Sequence, residues 1–337
     1  MVVPARRSFL VGPVNFHGPC APGRITVQVQ AKITVPPSTV VSTWSRVRNN
    51  YWLMFSRVDG LLDDPTIPPK PRYIYHKTIP NFPTSRNWTS AIKDSQALKL
   101  VRCNNLEVSR ISSKDSPQMH VAILQSSGIT LRKLTVTAPG SSPNTDGIHI
   151  EQSQNVRVAD SRIGTGDDCI SVSSGSRFVA VNGIECGPGH GVSIGSLGKN
   201  GDTAAVEFVD VRNVRFTDTM NGVRIKTWEG GQGYAKSISF TNIEFDNVDH
   251  PVLIDQFYRD RSVQVGVAIS NVTYSNLRGT SRATTVAFDC SGGGGCTDIH
   301  VNSMVITGPG ARRTVARCRN AQVAISGQVY AEIPCRS

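Results

Sequence analysis

The chain has 337 residues, 39% of them apolar and 18% charged, which describes a folded chain and excludes a disordered one. Thirty-six Lys and Arg against 25 Asp and Glu give a net charge of +11, a balance that favours polyanionic partners. The basic residues are scattered and only 7% of residues are aromatic, which argues against a nucleic-acid partner, and no run of 18 apolar residues predicts a membrane span.

The start, Met1 to Leu10, has neither the apolar run nor the cleavage site of a secretory leader. Eight cysteines nevertheless suggest disulfides and an oxidising compartment, so the chain reads as one lacking its natural start. Residues 25–35 alternate apolar and polar and predict a strand. Residues 58–85 hold six prolines and no repeating pattern, and 58–100 reads as an irregular or damaged part of the fold. From residue 101 onward, short β-branched strands recur. The apolar anchors Ile148, Ile170, Val192 and Val223 are spaced by 22, 22 and 31 residues, and Val252 and Val286 continue the series. Second strands lie between them, at 129–136, 155–158, 237–240 and 267–269. Strand, turn, strand, turn at this period predicts an all-β solenoid over 1–337, a single parallel β-helix, in preference to a sandwich or propeller. Asn155, Asn213, Asn242 and Asn271 fit either stacked side-chain ladders or simple turns.

Four short motifs sit at the edges of the anchored strands: Asn144-Thr145-Asp146, Gly166-Asp167-Asp168, Gly189-His190-Gly191 and Arg224-Ile225-Lys226. Asp146, Asp168 and His190 each lie two residues before an anchor, so stacking at ~4.8 Å between strands would make them a column on one face. Asp167 falls one residue outside it, and Arg224 and Lys226 extend it into the next coil. Three carboxylates, an imidazole and two cations are the parts of an acid/base site for an anionic substrate. Carboxylates this close raise at least one pKa, which keeps a proton available. Each motif alone has a plainer reading: a polar turn for Asp167-Asp168, a tight turn around His190, a solvated strand face for Arg224 and Lys226. Taken as a clamp, Arg224 would offer a fork and Lys226 a point charge to a substrate carboxylate. No CxxC or HxxxH spacing occurs, so neither a metal nor a cofactor is expected.

All four motifs, in this order and spacing, resemble those of plant polygalacturonases of glycoside hydrolase family 28. The resemblance is clear over 101–337 and fainter over roughly 9–60. It implies a right-handed β-helix that hydrolyses α-1,4-linked galacturonan in pectin with inversion. By the same resemblance Asp167 is the general acid, Asp146 and Asp168 hold and deprotonate the water, and His190 assists the acid or bonds the sugar. Asn144, Arg224, Lys226 and Tyr258 would bind substrate, Asn144 having turn formation as a rival role. The segments around Gly222–Trp228 and Ile254–Gln256 lean towards endo action. Cys169 with Cys186, Cys290 with Cys296 and Cys318 with Cys335 match family disulfides. Cys20 would pair upstream of Met1, and Cys103 is left over. A secreted, cell-wall protein is implied, expected as a monomer, with glycosylation sequons at Asn87 and Asn271.

Departures from the family pattern are the unrecognisable stretch after Val58-Asp59-Gly60, Arg259 where relatives carry a cysteine, and an N-terminal cap expected to be missing. Two rival functions follow: an inactive relative that only binds pectin, and a hydrolase of rhamnose-containing pectin. A pectate lyase on the same substrate would need a calcium site and a basic catalytic residue.

Overall fold

The computed structural model describes residues 2–4, 7–19, 28–29, 32–34, 50–60, 72–75, 95–258, 266–293, 295–308, 315–330 and 333–335; Cys20, Asn87 and Arg259 lie outside them. Two long parallel sheets run side by side along the described residues. One has eleven strands, in sequence order, from Val14–His17 through Ile148–Glu151, Ile170–Val172, Val192–Leu197, Asn221–Thr227 and His250–Asp255 to Val315–Arg319. The second has fourteen strands and takes the chain between successive strands of the first. The result is a right-handed parallel β-helix. Among the described residues the sole helix is the 3-10 turn Lys199–Gly201.

The anchors explain the register. Val121, Ile148, Ile170, Val192, Val223, Val252 and Val286 pair one above the next, and all are buried. Across the core, Val156, Val179, Val209, Ile238, Val272 and Ile299 form the facing column. Each such buried side chain contributes about 1.5–3 kcal/mol. A slip of one residue would turn every anchor to solvent, so the pattern fixes the stacking.

The long strands of the second sheet carry left-handed residues in rows that recur from coil to coil. Asp160, Gly183, Asn213, Asn242, Asn276 and Ser303 form one row, with φ between 49° and 70°. Asn and Asp tolerate that conformation, which explains their recurrence. Asn276, Asn242 and Asn213 each donate their side-chain amide to the carboxamide of the coil before, ending at Asn182, so here ladder and turn coincide. Asn155 and Asn271 are also left-handed but belong to a different row.

Within 58–100, expected to be irregular or damaged, described strands join both sheets: Arg72–Tyr75 pairs in parallel with Lys32–Thr34 and Ile111–Lys114, and Gln96–Val101 pairs with Tyr51–Ser56 and Val121–Leu124. A four-residue strand among prolines leaves too short a pattern to detect. In 25–35, the described residues form the strands Gln28–Val29 and Lys32–Thr34.

Disulfides join Cys169 to Cys186, Cys290 to Cys296 and Cys318 to Cys335. Cys103 is a free thiol, buried, with Sγ 3.2 Å from the Phe55 carbonyl. An aromatic stack fills the wider coils: Phe240 to Tyr274 at 5.2 Å and Tyr274 to Phe288 at 5.7 Å between ring centroids. The Tyr274 hydroxyl is buried there without a hydrogen-bond partner among the described residues. A desolvated, unpaired hydroxyl costs free energy that the ring does not need. Tyr274→Phe is therefore expected to raise stability by about 1 kcal/mol, read as a higher urea midpoint at unchanged m-value; a lower midpoint would show that the hydroxyl is satisfied.

Candidate active site

The motif loops are packed on one another at one edge of the eleven-stranded sheet. Thr145 Oγ1 accepts the Gly166 N–H at 3.0 Å and donates to the Ser142 carbonyl at 2.9 Å. A Cβ on Gly166 would lie 2.0 Å from the Ser142 carbonyl oxygen, so the approach of the two loops requires glycine. The Gly147 N–H bonds the Asp168 carbonyl at 2.9 Å, and the His190 N–H bonds the Asp167 carbonyl at 2.8 Å. Gly189, at φ 151°, passes so near that a Cβ would stand 2.8 Å from the Asp167 carbonyl oxygen. Backbone bonds thus carry the register of the strands into the loops that hold Asp146, Asp167, Asp168 and His190.

Asp168 is the most enclosed of the three carboxylates, its side chain 1% exposed. Its Oδ1 accepts from Arg224 Nη2 at 2.7 Å and Ser193 Oγ at 2.8 Å; its Oδ2 accepts from Lys226 Nζ at 2.8 Å. Two cations and a hydroxyl hold it as an anion. Asp146, also buried, accepts from Ser171 Oγ at 2.8 Å through Oδ2. Its pKa is pushed up to about 6, first by burial, then by the charges of Asp168 and Asp167; His149 and the Ser171 hydrogen bond oppose the rise. Asp167 is the most open, and its Oδ1 lies 3.2 Å from His190 Nδ1. Burial pushes Asp167 up, but the His190 hydrogen bond and charge, the Asp168 N–H and Lys226 outweigh it, holding the carboxyl below the usual range.

The structure brings Asp146, Asp167, Asp168, His190, Arg224 and Lys226 together. His190 meets Asp167, the expected acid, while the Asp168 side chain that shares its register position is turned to the cations. Arg224 and Lys226 do not point freely to solvent. Both are buried, and Arg224 uses Nε on Ser193 and Nη2 on Asp168, so its fork is committed inside the protein. Asn144 makes no side-chain bond to Asp146 among the described residues; it is an exposed turn residue at φ 57°. Tyr258 stands beside Lys226, whose Nζ is 5.4 Å from its ring centroid, and meets Trp228 edge-on at 5.7 Å. Sequence reasoning missed Thr145, Ser171, Ser193 and His149. The signal was present: His149, Ser171, Ser193 and Arg224 each lie one residue after an anchor.

A cation could contact Asp167, Asp168 and His190, whose ligand atoms lie within 4.8 Å of one another. Arg224 and Lys226 already neutralise Asp168, which makes the cluster a poor host for a metal.

Residues 1–327 match the model of glycosyl hydrolases family 28. The chain belongs to this family. The family 28 chain is 41% identical over 314 residues to a probable polygalacturonase of Arabidopsis thaliana, covering 90% of this chain and 65% of that protein. It is 38% identical over 340 residues to a polygalacturonase of Persea americana, covering 95% and 70%. It therefore spans about two thirds of the length of these relatives. The same fold appears in an endo-xylogalacturonan hydrolase from Aspergillus tubingensis, with TM-score 0.72 at 17% identity over 97% of this chain and 91% of that one. A polygalacturonase from Erwinia carotovora gives 0.70 at 20% identity over 94% and 86%.

Asp146 makes stability depend on pH. A carboxyl whose folded pKa exceeds its unfolded value contributes stability while protonated and loses it as pH rises, here between about 4 and 6. Asp167, held low, acts in the opposite sense and only under more acid conditions. Asp146→Asn should remove the loss between pH 4 and 6 and stabilise the folded state at pH 7, by at most about 3 kcal/mol. Urea unfolding of both proteins at pH 4 and 7 reads this; an equal effect at the two values would show that Asp146 is ionised throughout.

Proposed function

We propose that this family 28 chain hydrolyses α-1,4-galacturonosidic bonds of homogalacturonan by an inverting acid/base reaction. The observation that carries the reading is the placing of three neighbouring carboxyl groups in three different charge environments beside two cations. Asp168 has its charge compensated by Arg224, Lys226 and Ser193. Asp146 has Oδ1 available beside it, so the two carboxylates can hold a water and draw off its proton. Asp167, the most open, is the group able to reach a glycosidic oxygen.

Asp167 and His190 act as one acid. In the free site the contact with His190 helps to hold the Asp167 carboxyl below its ordinary range. A sugar chain that displaces water penalises the carboxylate charge. Asp167, protonated once the chain is bound and held by His190 at 3.2 Å, then gives its proton to the leaving oxygen. Lys226 retains two of its three donors, and with Tyr258 alongside it offers a galacturonate carboxylate a point charge at the cleft. The net charge of +11 draws an anionic polymer to the surface. Internal cleavage of the polymer, action as a monomer and a place in the cell wall complete the reading. No helix among the described residues is long and apolar enough to cross a membrane.

The assay is reducing-end release from de-esterified polygalacturonic acid, with circular dichroism confirming the fold of each protein. Asp167→Asn should lower kcat by about 10²–10⁴-fold, and the first product seen by proton NMR should carry the inverted anomeric configuration. Early loss of viscosity reports endo action. Pectin binding by a folded wild type with no new reducing ends would overturn the proposal, and faster cleavage of rhamnogalacturonan would redirect it.

A further inference from the structure

The residues one place after each anchor form an outward column in register: His149, Ser171, Ser193 and Arg224. At one end Arg224 Nε donates to Ser193 Oγ at 3.0 Å, and that hydroxyl donates to Asp168 Oδ1 at 2.8 Å. At the other end His149 Nδ1 lies 2.8 Å from Ser171 Oγ, and that hydroxyl donates to Asp146 Oδ2 at 2.8 Å. A hydroxyl has one proton. Ser171 gives its proton to the carboxylate, so it accepts from His149 Nδ1–H. On the far side of the ring, His149 Nε2 stands 3.4 Å from Glu151 Oε2. Only the doubly protonated ring satisfies both contacts as a donor. The same device therefore occurs twice, a cation acting through a serine on an aspartate. One cation is permanent and the other can lose its charge.

The surroundings of His149 agree. Its charged neighbours are Glu151 on its own strand, Asp146 beyond Ser171, and Lys99 two strands away, whose charge acts on Glu151. The residue between Lys99 and His149 in the column is the uncharged Ala122. Glu151 is held below its ordinary range, first by its hydrogen bond from His149.

We propose that His149 is a positioning residue for Asp146: through Ser171 it orients the carboxylate, and by its charge it stabilises the ionised form, the form that accepts the water's proton. The inference rests on the role given to Asp146 above. It assigns a task to His149, Ser171 and Glu151, which stand outside the four motifs.

The test uses the full chain as wild type, His149→Gln, Ser171→Ala and the double variant. Two readouts are followed from pH 4 to 8: kcat/KM on polygalacturonic acid, and the Asp146 carboxyl carbon by NMR of aspartate-labelled protein. His149→Gln should move the acid limb of kcat/KM and the Asp146 titration midpoint to higher pH. A displacement of one pH unit gives about a tenfold loss at pH 5 with almost none at pH 7.5, and KM should change little. The double variant should be displaced further than Ser171→Ala alone, since the His149 charge acts on Asp146 directly as well as through the serine. A pH-independent loss with an unmoved Asp146 midpoint, or a double variant displaced no further than Ser171→Ala, would overturn the proposal. If no galacturonan is cleaved at any pH, the proposed function fails, and the NMR midpoint in His149→Gln still decides the part played by His149. If Ser171→Ala does not fold, that same midpoint decides alone.

Discussion

In-register stacking of parallel coils is the constraint on which everything else rests. Each coil offers the next a strand edge and a row of buried Val and Ile, and the two requirements agree only in one register. Once the anchors are stacked, residues at equal offsets from them form columns without further instruction. The core column is apolar. The column one residue later carries His149, Ser171, Ser193 and Arg224. The loops two and three residues before carry the aspartates. A site built this way has its spacing set by the strand-to-strand distance rather than by loop conformation, which suits groups that must act together on one bond.

Concentrating carboxylates in such columns has an electrostatic cost, and the fold meets it unevenly. Asp168 is buried but bound by a guanidinium and an ammonium, so its charge is compensated where it stands. Asp146 is buried with a single hydroxyl as direct partner and is driven towards its neutral form. Asp167 keeps solvent and an imidazole. Asp146 and Asp167 thus shift in opposite directions through burial and partners together, which is how one residue type can fill acid and base roles in a single site. The cations also explain why the carboxylates can approach at all: without Arg224 and Lys226, Asp168 would be an uncompensated buried charge.

The serines between these groups are short, and their hydroxyls both accept and donate. A hydroxyl at a strand position can accept a hydrogen bond from a basic group on a neighbouring coil and donate one to a carboxylate. Ser193 and Ser171 do so with different cations. The repeat therefore supplies a spacing of parts as well as a scaffold, and the identity of the basic residue at each end sets whether the adjoining aspartate feels a constant or a pH-dependent charge.

The anchors Ile148, Ile170, Val192, Val223, Val252 and Val286 were legible in the sequence because burial on a parallel sheet leaves an apolar run at a recurring interval. Stacking of those anchors also placed the four motifs side by side, so the site was legible with them. Strand Arg72–Tyr75 was not, since four residues among prolines carry no period. Nor could register say which way each side chain turns. His190 shares a position with Asp168 yet meets Asp167, and the Arg224 fork faces inward to Ser193 and Asp168 instead of outward to a ligand. Asn144 lies in a motif and forms a turn, whereas Ser171 and His149 lie in none and reach Asp146. Local pattern determined the solenoid, its register and the company the aspartates keep, because these follow from apolar spacing and hydrogen-bonded strands. Tertiary structure alone decided which partner each charge takes, because that depends on competition among donors from several coils within one enclosed volume.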